Sequence, residues 1–427
     1  MKTPSDLSAA VDAIAGDVIK WRHHVHANPE LSNREVNTAK YIVDHLTTLN
    51  LDEIHTDVAG HGVIGVLNGA QKGQRTILLR ADIDALPVPD ESGVDFASTV
   101  IDEHYPGGPF PVSHACGHDC HTAMLMGAAS VLAKHRDELP GRVLFVFQPA
   151  EEGPPVDEEG GARSMLESGI FEQYSPTMAF GMHVQPFPKG VVAMREGNQF
   201  GASCLVKITL TGEQVHGSTP WAGIDPMPAV GAILTGIGQI YRQVDAFDPF
   251  TVSIGHIEDV GRFNIIGQRV TLWGTIRSHR EATMSDVQER VRTLAEGAAK
   301  ANNCQVNVEY LQDVPAVTNT PEWVAAARPT IERVVGSANV IPAPPTLGYD
   351  DVSEFVKAFG GLYIGLGVQD TAFTEDGELY IPEDGRGGVP NHNPRFYADD
   401  DTLATGVKLM VECARDHLTG QLMPGQG

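Results

Sequence analysis

Of the seventeen histidines in this 427-residue chain, the informative ones stand beside other metal-ligating or proton-accepting side chains. The densest stretch is Ser113-His114-Ala115-Cys116-Gly117-His118-Asp119-Cys120-His121, which precedes a helical pattern over Thr122–His135. One glycine separates Cys116 from His118, so a tight turn can aim a thiolate and an imidazole at one ion. Cys120 and His121 read more plainly, as a small packed side chain and a residue near a helix start. A second stretch, Phe145-Val146-Phe147-Gln148-Pro149-Ala150-Glu151-Glu152-Gly153, ends an apolar strand in two adjacent carboxylates. Successive extended residues point to opposite sides, so one Glu can coordinate a metal while its neighbour acts as general base toward water. Alone, the pair also fits a solvated acidic loop.

Met182-His183-Val184 and Asn391-His392-Asn393-Pro394 supply two further histidines. Either one taken singly fits a core residue. Together, one Cys, three His and one or two Glu from four places match a site for two borderline cations better than a structural zinc knot, which remains the alternative. Asp82 and Asp84 lie on one face at a strand end, where either can accept the second N–H of a metal-bound imidazole. Pairing with Arg80, or capping a turn before Pro87 and Pro89, is the alternative for both.

The elements that must position these residues follow from periodicity. Apolar runs at Gly62–Leu67, Thr76–Ile83, Arg142–Gln148 and Thr177–Val184 alternate with helical patterns at Leu7–His26 and Asn33–Leu49, which predicts a layered α/β domain with a central sheet. From about Gly201 the order changes. Strand Leu205–Thr211, helix Asp225–Val244, strands Thr251–Ile257 and Val270–Ser278, helix Ser285–Asn302 and strand Gln305–Leu311 give the β-α-β-β-α-β order of a ferredoxin-like unit. With strand Gly361–Leu366 and helix Thr402–Leu418, the chain returns to α/β character. The expectation is a discontinuous catalytic domain over 1–200 and 313–427, interrupted by an α+β domain over 201–312.

Composition limits the function classes. Lys and Arg total 30 against 55 Asp and Glu, and a net charge of −25 disfavours nucleic-acid and membrane partners. No apolar run reaches the roughly 20 residues of a membrane span. Met1–Trp21 lacks the apolar core of a signal peptide, so the expected compartment is the cytoplasm. Five scattered cysteines do not form a disulfide framework.

RADIDALP (80–87), HACGHDCHTA (114–123), QPAEEG (148–153), MHV (182–184), GYDD (348–351) and NHNP (391–394), in this order, resemble the amidohydrolase subfamily of the aminoacylase and carboxypeptidase-like metallopeptidases. Arg22-x-x-x-His26-x-Asn28-Pro29-Glu30-Leu31-Ser32 is similar to its N-terminal signature, read from the residues alone as packing and turn formation. The resemblance implies two divalent metal ions per subunit, with Cys116, His118, Glu152, His183 and His392 as ligands and Glu151 as base. The residues leave open whether Zn, Mn, Co or Ni is native. It implies that the inserted domain is a dimerisation or lid domain, that the protein is a homodimer or higher homo-oligomer, and that His216 polarises the scissile carbonyl. Asn264 resembles a residue that contacts the substrate, and Arg277 can grip an anionic substrate end. The implied activity is hydrolysis of N-acyl amino acids. Dipeptidase or carboxypeptidase action at the same site is one alternative. A silent metal-dependent binding protein is another, and the presence of Glu151 argues against it.

Overall fold

Runs of Val, Ile, Leu and Phe become strands covered on both faces. In a computed structural model, which describes residues 7–374 and 376–425, helices Ala15–Ala27 (α1) and Val36–Thr47 (α2) precede strands Glu53–Val58 (β1), Gly62–Asn68 (β2) and Gln71–Asp82 (β3). Helix His118–Lys134 (α3) and strands Pro140–Gln148 (β4), Met178–Pro188 (β5) and Val192–Met194 (β6) come next. The interrupting segment holds Ala202–Thr211 (β7), Met227–Ile240 (α4), Phe250–Asp259 (β8), Arg269–Ser278 (β9), Glu281–Ala301 (α5) and Gln305–Val314 (β10). Helix Pro321–Val335 (α6), strands Val340–Pro342 (β11) and Gly361–Gln369 (β12), and helix Leu403–Thr419 (α7) complete the main elements.

The chain divides into two units. One comprises the chain up to Gln199, Thr318–Pro344 and the chain from Glu354 onward; the other comprises Phe200–Val317 and Pro345–Ser353. In the first unit, eight strands run in the order β1-β2-β4-β3-β5-β12-β6-β11. The central β4, β3, β5 and β12 are parallel, and β12 is buried along its whole length. Helix α3 is buried almost throughout, from His118 to Leu132, because Ala, Met and Leu cover its whole circumference. Among the described residues, no helix is long and apolar enough to cross a membrane.

In the second unit four antiparallel strands run β8-β9-β7-β10, with α4 and α5 supplying the apolar face that covers them. Chain order and spatial order together make this a ferredoxin-like α+β unit. Its extent differs from the expected 201–312: it runs from 200 to 317 and includes 345–353, which the sequence reading gave to the 313–427 part of the first domain. The physical reason is local pairing. The Gly201 amide donates to the Gly348 carbonyl at 2.8 Å, His279 Nε2 lies 2.9 Å from the Thr346 carbonyl, and the Arg277 guanidinium stacks on Tyr349.

Candidate metal centre

The parallel strands of the first unit deliver their chemistry at their carboxyl ends, where loops leave an open α/β sheet. β3 and β4 end side by side, Asp82 opposite Gln148, so Asp84 and the Glu151–Glu152 pair follow directly from neighbouring strands. His183 lies midway along β5, the next strand over, just past its pairing to β3 and before the strand runs on to Pro188. Cys116 and His118 straddle Gly117, which adopts φ +89° at the start of α3; a Cβ there would lie 2.3 Å from Val184 Cγ2. Only glycine meets both conditions, so the turn that separates thiol from imidazole depends on it. His392 also has a positive φ, +69°, and its amide donates to the Ala115 carbonyl at 2.8 Å. Asn391 Nδ2 donates to the carbonyls of Cys116 and Val184 at 3.0 and 3.2 Å. These bonds join three of the donor-bearing loops.

The donor atoms converge. Cys116 Sγ lies 3.3 Å from His183 Nε2, and His392 Nε2 lies 3.2 Å from Glu152 Oε1. His118 Nε2 is 3.8 Å from Glu151 Oε2 and 3.9 Å from Glu152 Oε1. Two donors about 2.1 Å from a tetrahedral ion stand about 3.4 Å apart, so these separations suit shared coordination. Cys116 with His118 and His183, and Cys116 with Glu152 and His392, form two ligand groups that share the thiol.

Two imidazoles are aimed by bonds at their far nitrogens. His118 Nδ1 donates to the Asp84 carbonyl at 2.9 Å, with Asp84 Oδ1 at 3.2 Å, and His183 Nδ1 donates to the Val184 carbonyl at 2.8 Å. Each bond puts the ring proton on Nδ1 and turns Nε2 toward the cluster as a lone pair. Within the cluster, the buried His118 Nε2 and Glu152 Oε1 have no partner in hydrogen-bond geometry. Orphaned polar atoms of this kind, facing a thiol, are what a cation would satisfy.

The electrostatics agree. Burial alone would push His118 down, yet Asp82, Asp84 and Glu152 carry it up to about 10. Burial, then Glu152, Glu151 and Asp82, push the Cys116 thiol well above its usual range. Burial acts upward on Glu152 too, but His392 and His118 hold it at about 2. The pocket thus carries an excess of negative charge that draws protons onto its own ligands, and divalent ions would take their place. The residues present fit a metal centre.

Sequence reasoning placed Asp84 behind these donors, as found, and missed the rest of that layer. Asp82 does pair with Arg80, Oδ2 to Nη1 at 2.5 Å, but its other oxygen accepts from His121 Nδ1, also at 2.5 Å. His121 Nε2 then accepts the Val184 amide at 2.9 Å, so the residue read only as lying near a helix start anchors the backbone next to His183. Arg22 and His26, read as packing and turn residues, both bond Asp119, beside His118, at 2.9 Å. The adjoining His26 bond to Asp90 and the Asp119 charge lift that imidazole to about 9 against the opposing effect of its burial. The second His three residues after His118, at His121, was the available signal for the first of these.

The second unit holds the remaining candidates. Val215–His216 pairs antiparallel with Ile265–Ile266, and the Gly217 amide donates to the Asn264 carbonyl, so His216 and Asn264 are neighbours on an exposed hairpin-like pairing. Arg277 is not with them. It lies near the far end of β9 from Arg269, about 27 Å along an extended strand, stacked 4.3 Å over the Tyr349 ring.

A catalytic α/β unit with a thiol-imidazole-carboxylate cluster at its strand ends, interrupted by a ferredoxin-like unit, defines a metallopeptidase-type hydrolase. The profile of peptidase family M20/M25/M40 matches residues 78–416, and the chain belongs to that family: it is a metal-dependent hydrolase. It is 33% identical over 393 residues to thermostable carboxypeptidase 2 of Saccharolobus solfataricus, covering 91% of this chain and 92% of that one. It is 30% identical to N-acetylcysteine deacetylase of Bacillus subtilis, covering 93% and 96%. Among solved structures, a dinuclear metal-binding M20-family peptidase of Bacillus subtilis superimposes with a TM-score of 0.74 at 28% identity, over 96% of this chain and 99% of the other.

Proposed function

We propose that the protein cleaves the amide bond of N-acyl amino acids, giving a carboxylic acid and an amino acid, at a pair of divalent ions held by Cys116, His118, Glu152, His183 and His392. The observation that carries this reading is the convergence of one thiol, three imidazoles and two adjacent carboxyls, with Cys116 common to two ligand groups. Ions bound there would polarise the scissile carbonyl and make an attacking water more acidic.

The chain's own residues do the rest. Glu151, buried and next to the ligand Glu152, takes the proton of the attacking water and passes it to the amine nitrogen as the C–N bond breaks. Asp84 fixes the His118 tautomer and holds the Glu152 amide at 3.0 Å. His216 Nδ1 accepts the Ser218 amide at 3.0 Å, which leaves the neutral ring's proton on Nε2, available to the carbonyl oxygen as it gains charge. Asn264, beside His216, contacts the same reacting centre, and Arg277 binds the carboxylate end.

His216 and Asn264 sit on a separate two-strand pairing beyond the Arg269 end of β9, and Arg277 lies near its other end, a separation that supports drawing the two from different copies. This favours a homodimer in which the inserted unit serves as a dimerisation and lid domain and His216 acts in trans. The unit also exposes Trp221, Phe247 and Phe263, and Met227 and Leu234 seven residues apart on α4 with Tyr241 just past its end, a self-association surface of suitable chemistry. Carboxypeptidase action is the second reading, favoured by the carboxypeptidase similarity.

The test is amino-acid release by metal-loaded protein from N-acetyl, N-benzoyl and longer N-acyl amino acids alongside dipeptides. Turnover of the acyl series, lost in Glu151→Ala, supports the proposal. Turnover of peptides alone favours the second reading. Equal, negligible release from wild type and variant overturns both.

A further inference from the structure

Glu35 lies at the start of α2, its side chain completely buried, and takes no part in the chemistry described so far. Its Oε1 accepts the Ala150 amide at 2.8 Å; Oε2, equally buried, has no hydrogen-bond partner. Ala150 is where the chain turns out of β4 toward the Glu pair, with φ +53°. A residue with a Cβ holds that left-handed conformation only where its surroundings fix it. On the other side of Glu151, the Glu152 amide donates to Asp84 Oδ2 at 3.0 Å, and Ser32 Oγ donates to the same oxygen at 2.7 Å. The two amides flanking Glu151 are therefore each tied to a carboxyl group, and residues 32–35 reach both ties.

We propose that Glu35 is a positioning residue for Glu151: its carboxyl holds the Ala150 turn in the left-handed form that presents the base. This rests on Glu151 being the base. The task needs an acceptor oxygen and no charge. Burial, and then the neighbouring Asp84, raise Glu35 to about 8, so the group is predominantly neutral at neutral pH, and its carbonyl oxygen suffices for the amide. Glutamine reproduces that group. Leucine fills the space without an acceptor.

The experiment compares wild type, Glu35→Gln and Glu35→Leu in the metal-loaded protein by amide hydrogen exchange over residues 149–153, metal content, and kcat and KM on the N-acyl panel. Glu35→Leu should exchange at least tenfold faster there and lose about 10–100-fold in kcat, with KM within about twofold and metal content unchanged. Glu35→Gln should match wild type in all four. Unchanged exchange in Glu35→Leu, equal damage from both variants, or a loss of rate that tracks loss of metal would overturn the proposal. If Glu35→Leu does not fold, Glu35→Gln decides: retained protection and rate support the assignment, and loss of either refutes it. Should wild type hydrolyse nothing in the panel, the proposed substrate class falls, and the exchange comparison still decides the role of Glu35.

Discussion

His118 and His216 are each oriented by a polar neighbour at Nδ1, but their surroundings are opposites. His118 is buried at the start of a buried helix, fixed by Asp84, and backed by the Arg80–Asp82–His121 chain. His216 is exposed on a two-residue strand pairing, near the exposed Trp221 and Phe263, with Ser218 as its anchor. In the first region His118 Nε2 and Glu152 Oε1, both buried and unpartnered in hydrogen-bond geometry, stand 3.9 Å apart, a spacing that suits an ion. In the second, the polar tip and the apolar side chains around it face outward. The difference teaches that the first region is preorganised within its own unit, where low dielectric strengthens each interaction. The second, under the proposed function, is the surface that a substrate or another copy would complete.

The sharpest break in that comparison is removal of the base. Glu151→Gln should lower kcat by about 10²–10⁴-fold while two ions still bind, because the amide keeps the shape and cannot take a proton. A drop in metal content equal to the drop in rate would instead make Glu151 a ligand.

His216→Ala should cost about 10²–10³-fold, the worth of one oxyanion donor. If His216 acts across a dimer, mixing the two inactive proteins under subunit exchange restores activity, since one of the two sites in each mixed dimer has both Glu151 and His216. Failure of mixing to restore any rate, with exchange demonstrated, places His216 in its own chain's site.

His121→Leu removes the anchor on the Val184 amide and should weaken metal affinity by about 10–100-fold, measured by competition with a chelating dye. An unchanged affinity would mean that the backing layer contributes to folding alone.

The smallest effect concerns the His26 link to Asp119 and Asp90. Its folded-state value near 9 exceeds the ordinary 6.5, so its stabilisation is fully present below about pH 6.5 and is lost as pH rises through 9. The stability difference between wild type and His26→Gln should therefore shrink between pH 6 and 10, by at most roughly 3 kcal/mol, in urea denaturation. A difference that grows over that range would contradict the assigned charge.

What could be read from sequence divides along the same line. Cys, His and paired Glu at strand ends are chemically conspicuous, and Gly117 between two donors announces its turn, so the donor cluster was assembled from residue types alone. Of its supports only Asp84 was, because the other partners are distant: His121 to Asp82 spans 39 residues, His26 to Asp119 spans 93, and Glu35 to Ala150 spans 115. No local pattern encodes such pairs. β1, with Glu53, Thr56 and Asp57 exposed, lacks the apolar run that marked its neighbours, and α6 carries Pro329 in its interior, which argues against a helix until packing overrides it. Segment 345–351 is Pro- and Gly-bearing coil that leads into helix Val352–Phe359, and its allegiance is set by its bonds to Gly201 and His279.

The most direct test of the central claim is elemental analysis of the purified wild type and of Cys116→Ala, coupled to chelation and readdition in the N-acyl amino acid assay. The account predicts two divalent ions per chain in the wild type, fewer in Cys116→Ala, and activity that disappears on chelation and returns with added metal. A wild type that purifies without metal and hydrolyses its substrate regardless of chelator would contradict it.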